Sequence, residues 1–460
     1  MSNSNLPVAV IGGGPVGLAA VAHLLQRGET PILFEAGESI GSSILSWQHV
    51  RMFSNWEFNV DFATVEILEA NGWKMPPKDA VPTGGELVNR YLAPFAALPE
   101  VAPHIHTGSK VVAISHRHTD KMKDAKRDST PFVLHVECSD GSEQFYETKA
   151  VIDASGTRKS PNPIGAHGLA APGEKANREF IEYGIPDIRG KDSQTYAKKR
   201  VMVVGSGHSA INALLDLAVL REDYPETQMV WVMRGSNLQR VFGGELNDAL
   251  PARGALGTRM RALMESGGVQ ILSPFHLERI ENLGDGLEVW GDTDEGKESV
   301  VVDRIIGATG SRPDLNMLRE LRLNLDPSLE TTPILAPMID PNIHSCGTVR
   351  PHGEAALRQP ETNFYMVGMK SYGRAPSFLL ATGYEQVRSV VAYLLGDEKA
   401  AKEVYLNLPE TGVCSSDLVY ANPKKAVQAV AAKVGEAIPV LNILNNEESS
   451  GACCGPTCCS

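Results

Sequence analysis

Residues 8–17 read VAVIGGGPVG, an apolar run that leads directly into a cluster of glycines. The run predicts a short buried strand, and the apolar residues that follow it predict a helix. In a turn of the form G-x-G-x-x-G, Gly12 permits the tight bend, Gly14 lets the backbone approach a pyrophosphate, and Gly17 lets the helix pack closely on the strand. With Pro15 at its first position, the helix directs its free N–H groups at phosphates. The stretch therefore predicts a dinucleotide-binding turn.

An acidic residue closes the next expected strand, residues 30–35 (TPILFE). Strand, glycine turn, helix and strand together form a βαβ unit. In such a unit, a carboxylate at the end of the second strand accepts hydrogen bonds from a ribose diol. Glu35 therefore joins the glycine turn as a predicted cofactor-binding residue.

A second glycine turn follows the expected strand at residues 200–204 (RVMVV). Its sequence, GSGHSA, places glycine in the first and third positions and alanine in the last, which is an accepted variant of the motif. The predicted cofactor-binding residues of this turn are Gly205, Ser206, Gly207, His208, Ser209 and Ala210.

Arginine replaces the acid in this second unit. The strand after the turn ends at Arg234, and Arg240 follows a few residues later. A guanidinium grips the 2′-phosphate of NADPH in a forked geometry, whereas an acid in that position would repel it. The second turn is therefore predicted to bind NADPH rather than NADH.

The composition is that of a globular protein and narrows the choice of partners. The 460 residues include 43 Lys and Arg against 55 Asp and Glu, which gives a formal net charge of −12. This balance argues against a nucleic acid or an anionic membrane surface as the partner. The glycines of residues 12–17 interrupt the longest apolar run near the N-terminus, so neither a membrane span nor a signal peptide is expected. We expect a cytoplasmic protein with a small-molecule substrate, and its oligomeric state stays open.

The two βαβ units predict an α/β fold with two Rossmann-like domains, the second inserted in the first, and small antiparallel β elements. The expected division is an FAD-binding domain over residues 1–160 and 306–396, a connector over 161–198, an NAD(P)H-binding domain over 199–305 and a C-terminal appendage over 397–460.

This arrangement resembles the flavoproteins that carry two dinucleotide-binding domains. The resemblance extends to the small residues DASG at 153–156 and ATG at 308–310, where such chains pass between domains. It implies that the N-terminal unit binds FAD and that the inserted unit binds the nicotinamide cofactor. It also implies that Gly156, Gly310 and Gly368 approach the cofactors.

Within these flavoproteins, the disulfide reductases carry a redox-active dithiol beside the flavin, as CxxC or CxxxxC. Residues 41–47, where mercuric and glutathione-type reductases place it, read GSSILSW and contain no cysteine. The chain is closer to the flavin-containing monooxygenases. Residues 51–56 (RMFSNW) resemble the segment that places an Asn at the flavin edge, and FYMVG at 364–368 resembles the family's closing strand. The resemblance implies that Asn55 donates a hydrogen bond to the C4a-peroxide that the reduced flavin forms with O₂.

One departure concerns the F-x-G-x-x-x-H-x-x-x-[FW] fingerprint of those monooxygenases. Residues 180–199, just before the second turn, do not contain it. Tight retention of NADP⁺ and the family's substrate class are therefore not carried over to this chain.

Four of the seven cysteines lie in the last eight residues, as two adjacent pairs. Thiolates are soft ligands for Zn(II), Cu(I), Hg(II) or trivalent arsenic. The pairs are close enough in sequence to converge on one atom. A soft metal or metalloid site, or a redox sensor, is therefore predicted at Cys453, Cys454, Cys458 and Cys459.

Three functions follow from these features. The leading hypothesis is an NADPH-dependent FAD monooxygenase that oxygenates a small soft nucleophile, a sulfur, nitrogen or arsenic centre, with O₂ as co-substrate. The alternative is a reductase that passes electrons from flavin to the C-terminal cysteines and on to a disulfide, metal or metalloid. The third is a flavin-bearing redox sensor.

Overall fold

The computed structural model describes residues 5–236, 242, 251–343, 349–376 and 378–406, with the backbone alone at 251–253. The strands of the described residues are β1 (Val8–Ile11), β2 (Pro31–Phe34), β3 (Ile105–His106), β4 (Ser109–His116), β5 (Phe132–Cys138), β6 (Glu143–Thr148), β7 (Ala150–Asp153), β8 (Ile181–Tyr183), β9 (Arg200–Val204), β10 (Gln228–Val232), β11 (Gln270–Leu272), β12 (His276–Asn282), β13 (Leu287–Thr293), β14 (Gly296–Val302), β15 (Arg304–Gly307) and β16 (Phe364–Met366). The longer helices are α1 (Pro15–Gln26), α2 (Phe62–Ala70), α3 (His208–Asp223), α4 (Pro251–Glu265) and α5 (Leu380–Leu394). Shorter helical segments are Ser42–Leu45, Trp56–Asn59, Gly84–Leu87, Val88–Leu92, Ala93–Ala96, Ala102–His104, Arg127–Ser129, Arg178–Phe180, Ser193–Tyr196, Asn316–Leu318, Ala336–Ile339, Glu354–Leu357, Gly368–Tyr372 and Glu398–Lys402.

The first parallel sheet has the order β16-β7-β1-β2-β3. Its central strand β1 is buried along its whole length, because α1 covers one face and the small sheet β4-β5-β6 contributes apolar side chains to the other. Helix α5 packs beside α1 and contributes Val387, Val390 and Val391 to the same core. The sheet is thus closed by a strand and a helix from the C-terminal part of the described chain.

The second parallel sheet has the order β11-β10-β9-β15-β8. Helices α3 and α4 pack on one face through a core that includes Leu214, Leu217 and Met260. The small antiparallel sheet β12-β13-β14 contributes to the core on the other face. All strands of this sheet lie in sequence between β7 and β16, so the second unit is inserted in the first. The expected α/β fold with two Rossmann-like units and small antiparallel elements is therefore confirmed.

Two strands modify the expected course of the second unit. Strand β8 lies inside the predicted connector of residues 161–198, yet it pairs in parallel with β15. Strand β15 itself crosses the expected boundary at residue 305 and pairs with β9. The sequence did not signal β8 because its three residues, Ile-Glu-Tyr, are too few to show a periodicity. Through these two pairings, the second sheet includes β8, which lies before the predicted domain of residues 199–305, and the end of β15, which lies after it.

Among the residues described, none of the helices combines the length and the apolar character that crossing a bilayer requires.

Candidate functional site

The first glycine turn is built as its sequence requires. Gly12 has a φ of +102°, and a Cβ there would lie 2.7 Å from the carbonyl oxygen of Ala154. A Cβ on Gly17 would lie 1.9 Å from the carbonyl oxygen of Gly12, so only glycine lets α1 pack this closely. A Cβ on Gly14 would meet no atom within 4 Å, and Pro15 occupies the first turn of α1. The turn is closed on its protein side and open at Gly14, where a pyrophosphate would approach.

The Glu35 carboxylate is buried, with 7% of the residue exposed, and is tied to the turn. Its Oε2 accepts a hydrogen bond from the Gly13 N–H at 2.7 Å. Its Oε1 accepts from the Gly37 N–H at 2.7 Å and from the Ser42 hydroxyl at 2.8 Å. A carboxylate offers about four lone-pair positions, so one acceptor position remains beside the turn. This arrangement fits a ribose hydroxyl.

The second glycine turn repeats the plan of the first. Gly205 has a φ of +133°, and a Cβ there would lie 2.3 Å from the carbonyl oxygen of Ala308. Gly207 again faces open space, and Ala210 is fully buried where α3 packs on the sheet. The side chains between these positions differ in exposure: Ser206 is exposed, whereas His208 and Ser209 are partly buried.

Arg234 follows β10 at the carboxyl edge of the second sheet and is exposed. Its guanidinium makes one long hydrogen bond, 3.4 Å from Nη1 to the carbonyl oxygen of Ala166. Trp231 anchors the end of the same strand, since its Nε1 donates to the carbonyl oxygen of Gly205 at 2.7 Å. The Arg234 cation therefore comes two residues after a strand joined to the second turn, whereas Arg240 lies outside the described residues.

The three remaining predicted glycines all have left-handed backbones. Gly156, Gly310 and Gly368 have φ values of +69°, +79° and +67°. Gly156 faces open space, and a Cβ on Gly368 would come within 3.2 Å of the Val16 side chain in the first turn of α1. The Gly368 N–H donates to Oε1 of Gln386 in α5 at 2.7 Å, which fixes this loop against α5. The loops around the first turn thus form a cradle that fits a dinucleotide.

A buried ion pair lies at the carboxyl edge of the first sheet, and the sequence did not reveal it. The Nζ of Lys370 lies 2.7 Å from Oδ2 of Asp153, with the two side chains 1% and 0% exposed. The same Nζ donates to the Ser155 hydroxyl at 3.0 Å, and that hydroxyl donates to Oδ1 of Asp153 at 2.7 Å. The signal available in the sequence was a lysine two residues after Gly368 in an otherwise apolar segment. The pair holds the DASG loop next to Gly12.

The segment 51–56 lies where the two units meet. The Phe53 ring contacts the ring of His208 in the second turn, with centroids 5.1 Å apart. Asn55 precedes the short helix Trp56–Asn59, and its Nδ2 donates to Glu57 at 2.9 Å. Its Oδ1 is buried with no hydrogen-bond partner among the described residues. The contact of Asn55 with an oxygen adduct stays a prediction, but its segment reaches both glycine-turn units.

Sulfur chemistry is not available at this site from the residues that the structure describes. Their one cysteine, Cys138, ends β5 in the small antiparallel sheet and is unpaired. Nor do the described side chains include a group of three or more His, Cys, Asp or Glu able to hold a metal. The tail cysteines Cys453, Cys454, Cys458 and Cys459 lie outside the described residues.

Known proteins with this sequence pattern include both oxygenases and reductases. A sequence model of the family described as pyridine nucleotide-disulphide oxidoreductase matches residues 9–345. Monooxygenase cfoE of Aspergillus candidus is 28% identical over 230 residues, 48% of this chain and 35% of that protein. Bacilliredoxin reductase Bdr of Bacillus subtilis (strain 168) is 24% identical over 322 residues, 69% of this chain and 80% of that protein. The chain spans only 35% and 37% of the length of the first two curated relatives it matches.

Solved structures show the same fold at low sequence identity. The bacillithiol disulfide reductase Bdr (YpdA) from Bacillus cereus superposes with a TM-score of 0.63 at 18% identity, covering 86% of this chain and 99% of that chain. The ornithine N-hydroxylase from Kutzneria sp. 744 has a TM-score of 0.57 at 16% identity, covering 85% of this chain and 100% of that chain. One two-domain architecture therefore serves both kinds of chemistry.

Proposed function

Because the chain belongs to the pyridine nucleotide-disulphide oxidoreductase family, a family of flavin-dependent oxidoreductases, we propose that it is an NADPH-dependent FAD monooxygenase. In this proposal it oxygenates a small soft nucleophile, a sulfur, nitrogen or arsenic centre. The observation that carries the choice of chemistry is the segment after Glu35. It presents Ser42, Ser43 and Ser46 where mercuric and glutathione-type reductases carry their two cysteines.

In this proposal each dinucleotide is bound by one of the two glycine turns. FAD would be held by the first turn, with its pyrophosphate at Gly14 and a ribose hydroxyl at the remaining acceptor position of Glu35. NADPH would be held by the second turn, with its 2′-phosphate at Arg234. The exposed, weakly bonded guanidinium supports this assignment, because a phosphate can displace one long hydrogen bond at little cost.

Bound flavin supplies two-electron chemistry, taking hydride from the nicotinamide and passing the electrons to O₂ or to a thiol-type acceptor. The residues of segment 51–56 support O₂ as the acceptor in this proposal. In segment 51–56, Phe53 contacts His208 of the second turn, and Trp56, 1% exposed, packs in the core of the first unit. Such side chains exclude water, and the amide of Asn55 supplies a polar group there.

The reductase remains the second candidate, and one observation favours it. Its relatives, the Bdr proteins, match this chain over most of the length of both partners, whereas the monooxygenase cfoE matches over 35% of its own length. In that function the electrons would leave through the C-terminal cysteines.

Serine substitution of all four tail cysteines in the full chain separates the two functions. Oxygen uptake driven by NADPH should be retained within about twofold in the monooxygenase, because the thiols lie outside its electron path. The reductase should lose nearly all of its NADPH oxidation with a disulfide acceptor. Serine substitution of Cys138 alone is the matched control, since that thiol belongs to the small sheet. Loss of NADPH-driven oxygen uptake in the fourfold variant would refute the proposal.

A further inference from the structure

A cavity of about 560 Å³ lies between the segment after Glu35 and the edge strand β8. Ser42, Ser43 and Ser46 form one wall, and residues of the predicted connector form the opposite wall. Because the Ser42 hydroxyl also donates to Glu35, the cavity borders the predicted FAD site. Its volume is in the range of pockets that hold small molecules, about 300–1,000 Å³.

Two of the arginines that line the cavity are held by protein groups. The Arg178 guanidinium lies 4.7 Å from the centre of the Tyr183 ring, and its Nη1 donates to a backbone carbonyl. The Arg304 guanidinium lies 5.0 Å from the centre of the Phe180 ring, and its Nη1 donates to the carbonyl of the preceding residue. These two cations are stacked and bonded, so neither needs a ligand.

Arg158 differs from both. It is partly buried two residues after Gly156, and among the described residues it forms no ion pair with a carboxylate. Burial lowers the pKa of Arg158, and only the more distant Glu182 opposes that effect. A cation that is desolvated without a partner carries a free-energy cost that a bound anion would remove.

The Arg158 guanidinium also packs closely against Gly184. A Cβ on Gly184, which has a φ of +100°, would come within 2.5 Å of Nη1 of Arg158. Glycine at this turn therefore leaves the space that the planar group fills. The fork presents parallel N–H donors of the kind that match a carboxylate in a bidentate pair.

We propose that this cavity binds the substrate through a carboxylate group that pairs with Arg158. The inference names a substrate class for the oxygenation and so rests on the proposed function. The substrate is thus a small soft nucleophile that also carries a carboxylate. Lys159 and Lys191 lie exposed on the same cavity. The carboxylates Glu179, Glu182 and Asp192 also line it, so that five cationic side chains outnumber three acidic ones. Tyr196 lines it as well, and burial raises the pKa of its phenol, which keeps the hydroxyl a donor.

The experiment is a binding measurement on the FAD-loaded full chain by titration calorimetry, without NADPH. The two probes are 3-(methylthio)propionate and its neutral counterpart 3-(methylthio)propan-1-ol, which carry the same soft sulfur. The acid should bind at least about tenfold more tightly, since a hydrogen-bonded charge pair contributes roughly 1.5–3 kcal/mol. Arg158→Gln should reduce this preference to below about twofold, and Arg158→Lys should retain part of it.

Lys191→Gln is the matched control, because it removes an exposed cation from the same cavity, and its effect should stay below about threefold. Equal affinity for the two probes, or no binding of the acid at about 100 mM (just weaker than the affinity that a charge pair of roughly 1.5 kcal/mol supplies), would overturn the inference. A fall in flavin content of Arg158→Gln at unchanged probe preference would also overturn it, because the guanidinium would then serve FAD. None of these results depends on O₂, so the proposed oxygenation stands or falls separately.

Discussion

Replacing Glu35 with glutamine should weaken FAD binding strongly while leaving the fold intact. The buried carboxylate accepts three hydrogen bonds, two at Oε1 and one at Oε2 from the Gly13 N–H. The least disruptive orientation of the glutamine amide puts its NH₂ group at the Oε2 position. There the NH₂ group faces the Gly13 N–H, and the acceptor for the ribose hydroxyl is lost. One lost charge-assisted bond costs about 1.5–3 kcal/mol, which corresponds to a roughly 10- to 140-fold rise in the Kd for FAD.

The assay is a titration of the apoprotein with FAD, followed by the quenching of flavin fluorescence. Glu38→Gln is the control, because Glu38 is an exposed carboxylate of the same loop, and its Kd should match that of the wild type. A Kd for Glu35→Gln within twofold of the wild type would refute the reasoning. So would an equal rise in both variants, because it would attribute the effect to overall charge.

Three further outcomes follow from the same structure. Arg234→Ala should raise KM for NADPH about 10- to 100-fold without changing KM for NADH, because the lost cation contacts only the 2′-phosphate. Steady-state kinetics with both cofactors measures this, and a parallel rise of both KM values would contradict it. Burial alone would raise the pKa of Glu361, but hydrogen bonds from His116 and Arg127 outweigh it and lower the pKa to about 2. Since this pKa lies below the unfolded value of about 4.3, the stabilisation is present above that pH and is lost as the pH falls through about 2. Glu361→Gln should therefore flatten the acid limb of a melting-temperature profile, and an unchanged limb contradicts this assignment. Lys370→Met should destabilise the fold by about 3–5 kcal/mol by leaving its aspartate partner buried and unpaired, and denaturant unfolding should show recovery when that aspartate is also replaced by leucine.

The sequence predicted the parts of the site that depend on local backbone geometry. The two glycine turns, Glu35 and Arg234 could be assigned because turn, helix start and strand end lie within one βαβ unit. The pairs Asp153 with Lys370 and Phe53 with His208 could not be predicted, because each joins residues more than 150 positions apart. Such contacts depend on how the sheets assemble, which no local periodicity encodes.

The edge strand β8 was missed for a different reason. Its pairing with β15 is specified by the neighbouring strand and by the connector, whereas its own three residues carry no pattern. The cavity of Arg158 depends on that strand, so its position could not be predicted either. The proposed carboxylate site therefore depends on the connector forming part of the second sheet, which the sequence does not indicate.

The central claim is that electrons from NADPH pass through the flavin to O₂ and not to a thiol. Its most direct test follows NADPH absorbance with the FAD-loaded full chain in air and under strict exclusion of O₂, with a small-molecule disulfide present as the competing electron acceptor. The account predicts that oxidation without O₂ stops after about one NADPH per bound FAD, the equivalent that a two-electron acceptor takes up, and resumes when O₂ is admitted. Continued turnover at an equal rate without O₂ would contradict it.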